Sequence, residues 1–343
     1  MIRVLIAEDS AVIREILMYV LSEDPTMQVV GTARNGLEAA EQTERLKPDV
    51  VVMDVHMPQM SGFEATRLIM ERTPRPIVMV SASLNQDEVA LTFKALEAGA
   101  LTMLDKPAGL DHPDYAESAQ RLVATVKLMA EVKVVRRWPR QERPLPPTPP
   151  PPALGRTLRL VAIGASTGGP QVLEQILARL PENLRVPILV VQHIAPGFTP
   201  GLVKWLNERA RLTVKLAEPD ELVGVSIVYI APDGAQMGIT KEGRIRLTQE
   251  SVGYDFCPSI SYLFESVAEA YCRSAMGIIL TGMGQDGAKG LLQLREARGV
   301  TIAQNEESSV IFGMPGAAIR LGAAEHVLPP GQIAEMICAL VGG

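Results

Sequence analysis

Aromatic side chains are scarce in this chain, at 4% of 343 residues, although hydrophobic residues of all kinds reach 47%. A core of that make-up is filled by Val, Ile, Leu and Ala, which suits a compact α/β protein. Positive charge is not in excess either. The formal net charge is −6, which argues against a broad surface for nucleic acid or for an acidic membrane. Long apolar runs are missing as well. The start, MIRVLIAEDS, meets charge too early for a signal peptide or a membrane span. A cytoplasmic protein without membrane insertion is expected. Cys257, Cys272 and Cys338 are odd in number and too dispersed for a metal motif, so they read as reduced thiols.

Proline, by contrast, is concentrated. The stretch WPRQERPLPPTPPPPALGR (138–156) cannot be helix or central strand, because proline fixes φ and removes backbone donors. It reads as an extended spacer. With 343 residues, more than one core commonly serves, the chain is expected to hold two domains. The reading is a first domain over 1–127, a Pro-rich linker over 128–156 and a second domain over 157–343.

The first part alternates short apolar runs with helical patterns. The runs are RVLIAED (3–9), QVVGTA (28–33), DVVVMDV (49–55), PIVMVSA (76–82) and ALTMLDK (100–106). Such β-α repeats predict a parallel sheet covered by helices, with ligands at the carboxyl ends of its strands. Those ends carry the polar residues. Glu8 and Asp9 close the first run, Asp54 sits near the end of the third, and Ser81 and Lys106 sit at the ends of the last two. Any one of them alone would pass for a turn or helix-cap residue. Together they make a small pocket in which three carboxylates need a cation, and oxygen ligands suit Mg²⁺. A lysine and a hydroxyl opposite would hold a phosphoryl group.

These motifs, AEDS, DVHMPQMSG, VSAS and DKP, resemble those of response-regulator receiver domains. The resemblance implies a flavodoxin-like domain with a parallel five-stranded sheet. It implies that Asp54 accepts phosphate from a histidine kinase, and that Glu8, Asp9, Asp54 and the backbone carbonyl of His56 hold Mg²⁺. Ser81 and Lys106 are then the phosphoryl switch. Receivers often carry an aromatic where this chain has Met103, so that part of the switch departs from the pattern.

The second part is again strand and helix, with a region over 215–249 that reads as short strands and a hairpin. Its first run ends in VAIGASTGGP (161–170). A Gly-rich turn into a helix can cradle a phosphate, and Gly164-x-Ser166-x-Gly168 can expose a nucleophile. A dinucleotide fingerprint fails here, since serine replaces its second glycine and the next strand ends in histidine rather than an acid. A nucleophilic serine needs a base, and the base an orienting acid. Of the four histidines in the chain, only His193 ends a strand of this domain. Asp286 lies in TGMGQDGAKG, a glycine-rich loop just past another strand, whose N–H groups suit an oxyanion. Ser166, His193 and Asp286 therefore converge by topology.

The order Ser, His, Asp is not that of α/β-hydrolases, which run Ser, Asp/Glu, His. With IGASTGG, PILVVQHIAPGF, TGMGQDGA and FGMPGAA, it resembles the catalytic domain of the protein-glutamate methylesterases of bacterial chemotaxis, the CheB family. The resemblance implies a doubly wound α/β domain that demethylates glutamate methyl esters, and deamidates glutamines, on chemoreceptors. It gives Ser166, His193 and Asp286 as the triad and the backbone N–H of Met283 as an oxyanion donor, with no metal or cofactor in this domain. It also implies that the unphosphorylated receiver covers the active site. Gln236, Phe256, Cys257 and Ser261 stand where the family commonly has other residues, and the expectation is an altered substrate surface. Two other readings remain at this point: a phosphorylation-dependent binding protein without activity, and a nucleotide-binding protein using the glycine loop.

Overall fold

The computed structural model describes residues 1–81, 102–107, 109, 112–113, 115–132, 158–249 and 253–341. The proline-rich stretch and the Met103 side chain lie outside the described residues. The chain divides into two compact units, Met1–Pro144 and Leu145–Gly343.

In the first unit, β1 (Ile2–Ala7), β2 (Met27–Ala33), β3 (Val50–Asp54), β4 (Ile77–Ser81) and β5 (Thr102–Asp105) form a parallel sheet in the order β2-β1-β3-β4-β5. Strands β3 and β4 are buried throughout, so they read as continuous apolar runs rather than as alternations. Helices α1 (Ala11–Ser22), α2 (Gly36–Leu46) and α3 (Gly62–Arg72) each start at a side-chain cap, from Ser10, Asn35 and Ser61. At α3 the cap is a reciprocal box, since Glu64 returns a bond to the Ser61 backbone. Helix α4 (Tyr115–Ala130) runs past residue 127, where the sequence reading ended this domain. Leu122, Val126 and Met129 are buried at helical spacing and carry the element on.

The second unit is built on a seven-stranded sheet in the order β14-β13-β12-β6-β7-β9-β8, parallel throughout. Its strands are β6 (Leu160–Ala165), β7 (Ile188–Gln192), β8 (Thr213–Leu216), β9 (Ile227–Ile230), β12 (Ala275–Ile279), β13 (Val300–Gln304) and β14 (His326–Leu328). The hairpin expected after residue 230 is present as the antiparallel pair β10 (Gln236–Ile239) and β11 (Ile245–Thr248). Helices α5 (Gly169–Leu177), α6 (Thr199–Asn207) and α10 (Pro330–Val341) pack together as one group, and α7 (Ile260–Tyr271), α8 (Ala288–Glu296) and α9 (Met314–Arg320) as another. Strand β6 is the point from which the chain winds outward in both directions. Such a switch point opens a crevice at the carboxyl ends of the strands.

Candidate functional site

The first unit gathers its acids where β1 and β3 lie side by side. Glu8 follows β1 and Asp54 ends β3, and both are buried, whereas Asp9 is exposed. Carboxylate oxygens of the three lie within 4.8 Å of one another. Lys106, just past β5, sets Nζ 2.8 Å from Glu8 Oε2 and 3.0 Å from Asp54 Oδ2. Ser81 is buried at the end of β4, and its carbonyl accepts the Lys106 N–H at 2.8 Å. His56 is exposed, and its backbone N–H donates to the Asp54 carboxylate. Arg14 of α1 donates to the carbonyls of Glu8 and Asp9 and so fixes that loop. A Cβ at Gly62 would fall 2.1 Å from the Asp54 carbonyl oxygen, so α3 starts this close to β3 only with glycine there.

Burial pushes the Glu8 and Asp54 carboxyls up, and the Lys106 ammonium pulls both back part of the way. Burial disfavours the Lys106 charge, but the two carboxylates outweigh it and raise that group. Two buried acids and the exposed Asp9 against one lysine leave negative charge unbalanced at this edge of the sheet. The donor set is all oxygen, which fits a hard divalent cation such as Mg²⁺.

In the second unit, three loops meet at the end of β6. Ser166 follows β6 and donates its N–H to the Thr281 carbonyl at 3.0 Å. His193 follows β7 and donates its N–H to the Ala165 carbonyl at 2.9 Å. A Cβ at Gly282 would lie 2.6 Å from Ser166 Cβ, so the loop after β12 presses directly on the serine. His193 Nε2 lies 3.0 Å from Asp286 Oδ2, at ion-pair distance but without hydrogen-bond alignment. Among the described residues Ser166 Oγ has no hydrogen-bond partner, His193 included. Contacts of that kind commonly tighten only with substrate in place. Met283 is exposed, and its N–H has no partner among the described residues.

Asp286 is held by the start of helix α7. Its Oδ2 accepts the Ile260 N–H at 2.8 Å, and its Oδ1 accepts the Ser261 N–H at 3.1 Å and the Ser259 hydroxyl at 3.0 Å. The Gly287 N–H reaches the same Oδ1 at 2.8 Å. Burial pushes this carboxyl up, but His193 and the donors at the helix N-terminus hold it far below the usual carboxylate range. Asp286 is therefore an anion at any ordinary pH, suited to orienting an imidazole and stabilising its charged form.

Several supporting residues carry no motif. Gln192 is buried, and its Nε2 donates to the carbonyls of both Ser166 and His193 at 2.8 Å. Gln304 accepts the Thr281 N–H and bonds Ser308, bracing the loop beside the serine. The expectation that Gln236 lies on a substrate surface is corrected: it is 0% exposed. Its Nε2 donates to the Phe256 carbonyl and its Oε1 accepts the Ser259 N–H. Ser261 likewise faces Asp286, and its hydroxyl accepts the Gly287 N–H at 2.8 Å. Phe256 is exposed as expected, yet its ring stacks on His193. Burial pushes the Cys257 thiol up, which disfavours a thiolate there.

The family model described as CheB methylesterase matches residues 161–337, and the one described as response regulator receiver domain matches residues 4–113. The chain is 49% identical to a protein-glutamate methylesterase/protein-glutamine glutaminase of Syntrophus aciditrophicus, covering 100% of this chain and 99% of that protein. A protein of the same name from Nitrosospira multiformis is 49% identical, over 99% of this chain and 97% of its own length. The crystal structure of the Thermotoga maritima CheB methylesterase catalytic domain superposes with a TM-score of 0.52 at 39% identity, covering 54% of this chain and 100% of that one.

Proposed function

The chain belongs to the CheB methylesterase family, and from this premise we propose how its residues hydrolyse glutamate methyl esters on chemoreceptors under the control of phosphorylation. Ser166 Oγ attacks the ester carbonyl carbon of a methylated glutamate side chain. With Nε2 of His193 turned to Asp286, Nδ1 takes the serine proton. The oxyanion that forms accepts the Met283 N–H. Collapse of the tetrahedral species breaks the bond to the methoxy oxygen, and His193 returns the proton to give methanol. Water, activated by the same imidazole, then attacks the acyl-serine and frees glutamate and Ser166. Glutamine enters by the same acyl intermediate and releases ammonia instead. General acid–base help of this kind is worth roughly 10²–10⁴-fold.

Asp54 is the proposed phosphoacceptor, with a chemotaxis histidine kinase as donor. Glu8, Asp9, Asp54 and the His56 carbonyl would hold Mg²⁺, which screens the charge of the incoming phosphoryl group. Lys106 and Ser81 would contact that group. Removal of residues 1–156 is expected to raise basal activity. Among the described residues no helix is long and apolar enough to cross a membrane, and chemoreceptors would be met from the aqueous side.

The observation that carries the reading is the pairing of His193 with an Asp286 held anionic at the carboxyl edge where Ser166 also sits. Methanol release from methylated chemoreceptor tests it, comparing the full chain with Ser166→Ala, each with and without a small phosphodonor and Mg²⁺. Release should depend on Ser166 and rise with the phosphodonor. Release that persists in Ser166→Ala would remove the serine from the reaction.

A further inference from the structure

Phe256 lies over the imidazole of His193, with ring centroids 4.6 Å apart and planes 20° from parallel. It is not a core residue, since 47% of it is exposed, while the His193 side chain it covers is only 13% exposed. Its position is nevertheless fixed. The fully buried Gln236 holds the Phe256 carbonyl at 2.7 Å with one end of its amide and the Ser259 N–H at 2.6 Å with the other. Ser259 in turn donates to Asp286. The ring over the base and the acid beside it are thus set by one short loop.

An imidazole gives its proton to a leaving group at a ring nitrogen, in the ring plane. The stacked phenyl covers one face of the imidazole and so stands as an apolar wall beside the space in which a leaving group takes that proton. The two leaving groups differ in what they need from that wall. The methyl of a methyl ester needs only apolar surface. The NH₂ of a glutamine side chain brings donors, and Phe256 offers them no acceptor. A site that leaves such donors unpaired disfavours the group that carries them.

Resting on the hydrolase reading above, we infer that Phe256 is a specificity-determining residue that biases the enzyme toward methyl-ester hydrolysis and against glutamine deamidation. The test uses the full chain, activated by phosphodonor and Mg²⁺, acting on one chemoreceptor that carries both methylated glutamate and glutamine. Methanol and ammonia are measured together for wild type, Phe256→Asn, Phe256→His and Phe256→Leu. Asparagine and histidine add an acceptor, and histidine also keeps a flat ring. Each should raise the ammonia-to-methanol ratio about tenfold, whereas leucine should keep it within about twofold of wild type. The ratio does not depend on how much of a variant is folded. An unchanged ratio in the polar variants, or an equal rise in Phe256→Leu, overturns the inference. Neither product from wild type would overturn the hydrolase reading itself and this inference with it.

Discussion

Ser259 donates its hydroxyl to Asp286 Oδ1 at 3.0 Å while its own Oγ accepts the Tyr262 N–H at 3.3 Å. One side chain therefore caps helix α7 and holds the acid of the proposed triad. Ser259→Ala should cost about 1 kcal/mol of stability, the usual worth of a cap. It should also lower the rate of methanol release about tenfold, because Asp286 loses one of the groups that orient it. Asp286→Ala should cost more, about 3 kcal/mol, since the N–H groups of Ile260, Ser261 and Gly287 lose their acceptor. Denaturant titrations read the first effect and methanol release the second. A Ser259→Ala enzyme that is less stable but equally fast would confine the hydroxyl to the helix.

Gln192 ties the proposed nucleophile, Ser166, to the proposed base, His193, through their main chains, with one amide nitrogen bonded to both carbonyls. Gln192→Met keeps the volume and removes both bonds. Buried carbonyls left without donors should cost about 2 kcal/mol. The turnover number should fall about 10²-fold with little change in KM, because the loss is one of alignment between Ser166 and His193. An unchanged turnover number on methylated receptor would show that the two loops hold their places without the clamp.

Much of this was open to reading before any coordinates. VVVMD, IVMVS, LVAIGA and ILVVQ are buried on both faces, which forces continuous apolar runs, and the polar residue ending each run then stands out. Glu8, Asp54 and Lys106 were legible for that reason, as were Ser166 and His193. The glutamines were not. Gln192 and Gln304 each end a buried strand, but a glutamine has no charge and belongs to no catalytic or ligand pattern, so neither was singled out. Gln236 was misread as surface because its partners, Phe256 and Ser259, are 20 and 23 residues away. Phe256 was noticed only as a departure, and nothing in the letters places its ring on His193.

Tyr254 donates its hydroxyl to Glu265 Oε2 at 2.5 Å. Burial, then the Glu265 hydrogen bond and charge, push its phenol up to about 12 from an ordinary 10.0. The raised group binds its proton more tightly in the folded chain. Its contribution to stability is therefore complete below pH 10.0 and is lost as pH rises toward about 12. Ultraviolet titration of tyrosinate should lose its late component in Tyr254→Phe, and Glu265→Gln should move that component back toward the ordinary range. The stability difference between wild type and Tyr254→Phe should shrink across the same window. Superimposable titrations of wild type and Tyr254→Phe at the alkaline end would contradict the assignment.

Lys106 sits between two buried carboxylates, 2.8 Å from Glu8 and 3.0 Å from Asp54. Lys106→Met removes their only cation among the described residues within ion-pair distance and keeps an apolar stem of similar length. Breaking one side of a buried ionic cluster leaves uncompensated charge, so the variant should lose about 3 kcal/mol in the presence of a chelator. Added Mg²⁺ should restore more stability to Lys106→Met than to wild type, because binding to the folded state stabilises in proportion to its differential affinity. In the activity assay, Asp54→Asn should abolish stimulation by phosphodonor, and so should chelation of divalent ions in wild type. Equal gains in melting temperature with Mg²⁺ for wild type and Lys106→Met would mean that Lys106 and the cation do not share the same carboxylates. Stimulation that survives in Asp54→Asn would place the acceptor elsewhere in the first unit.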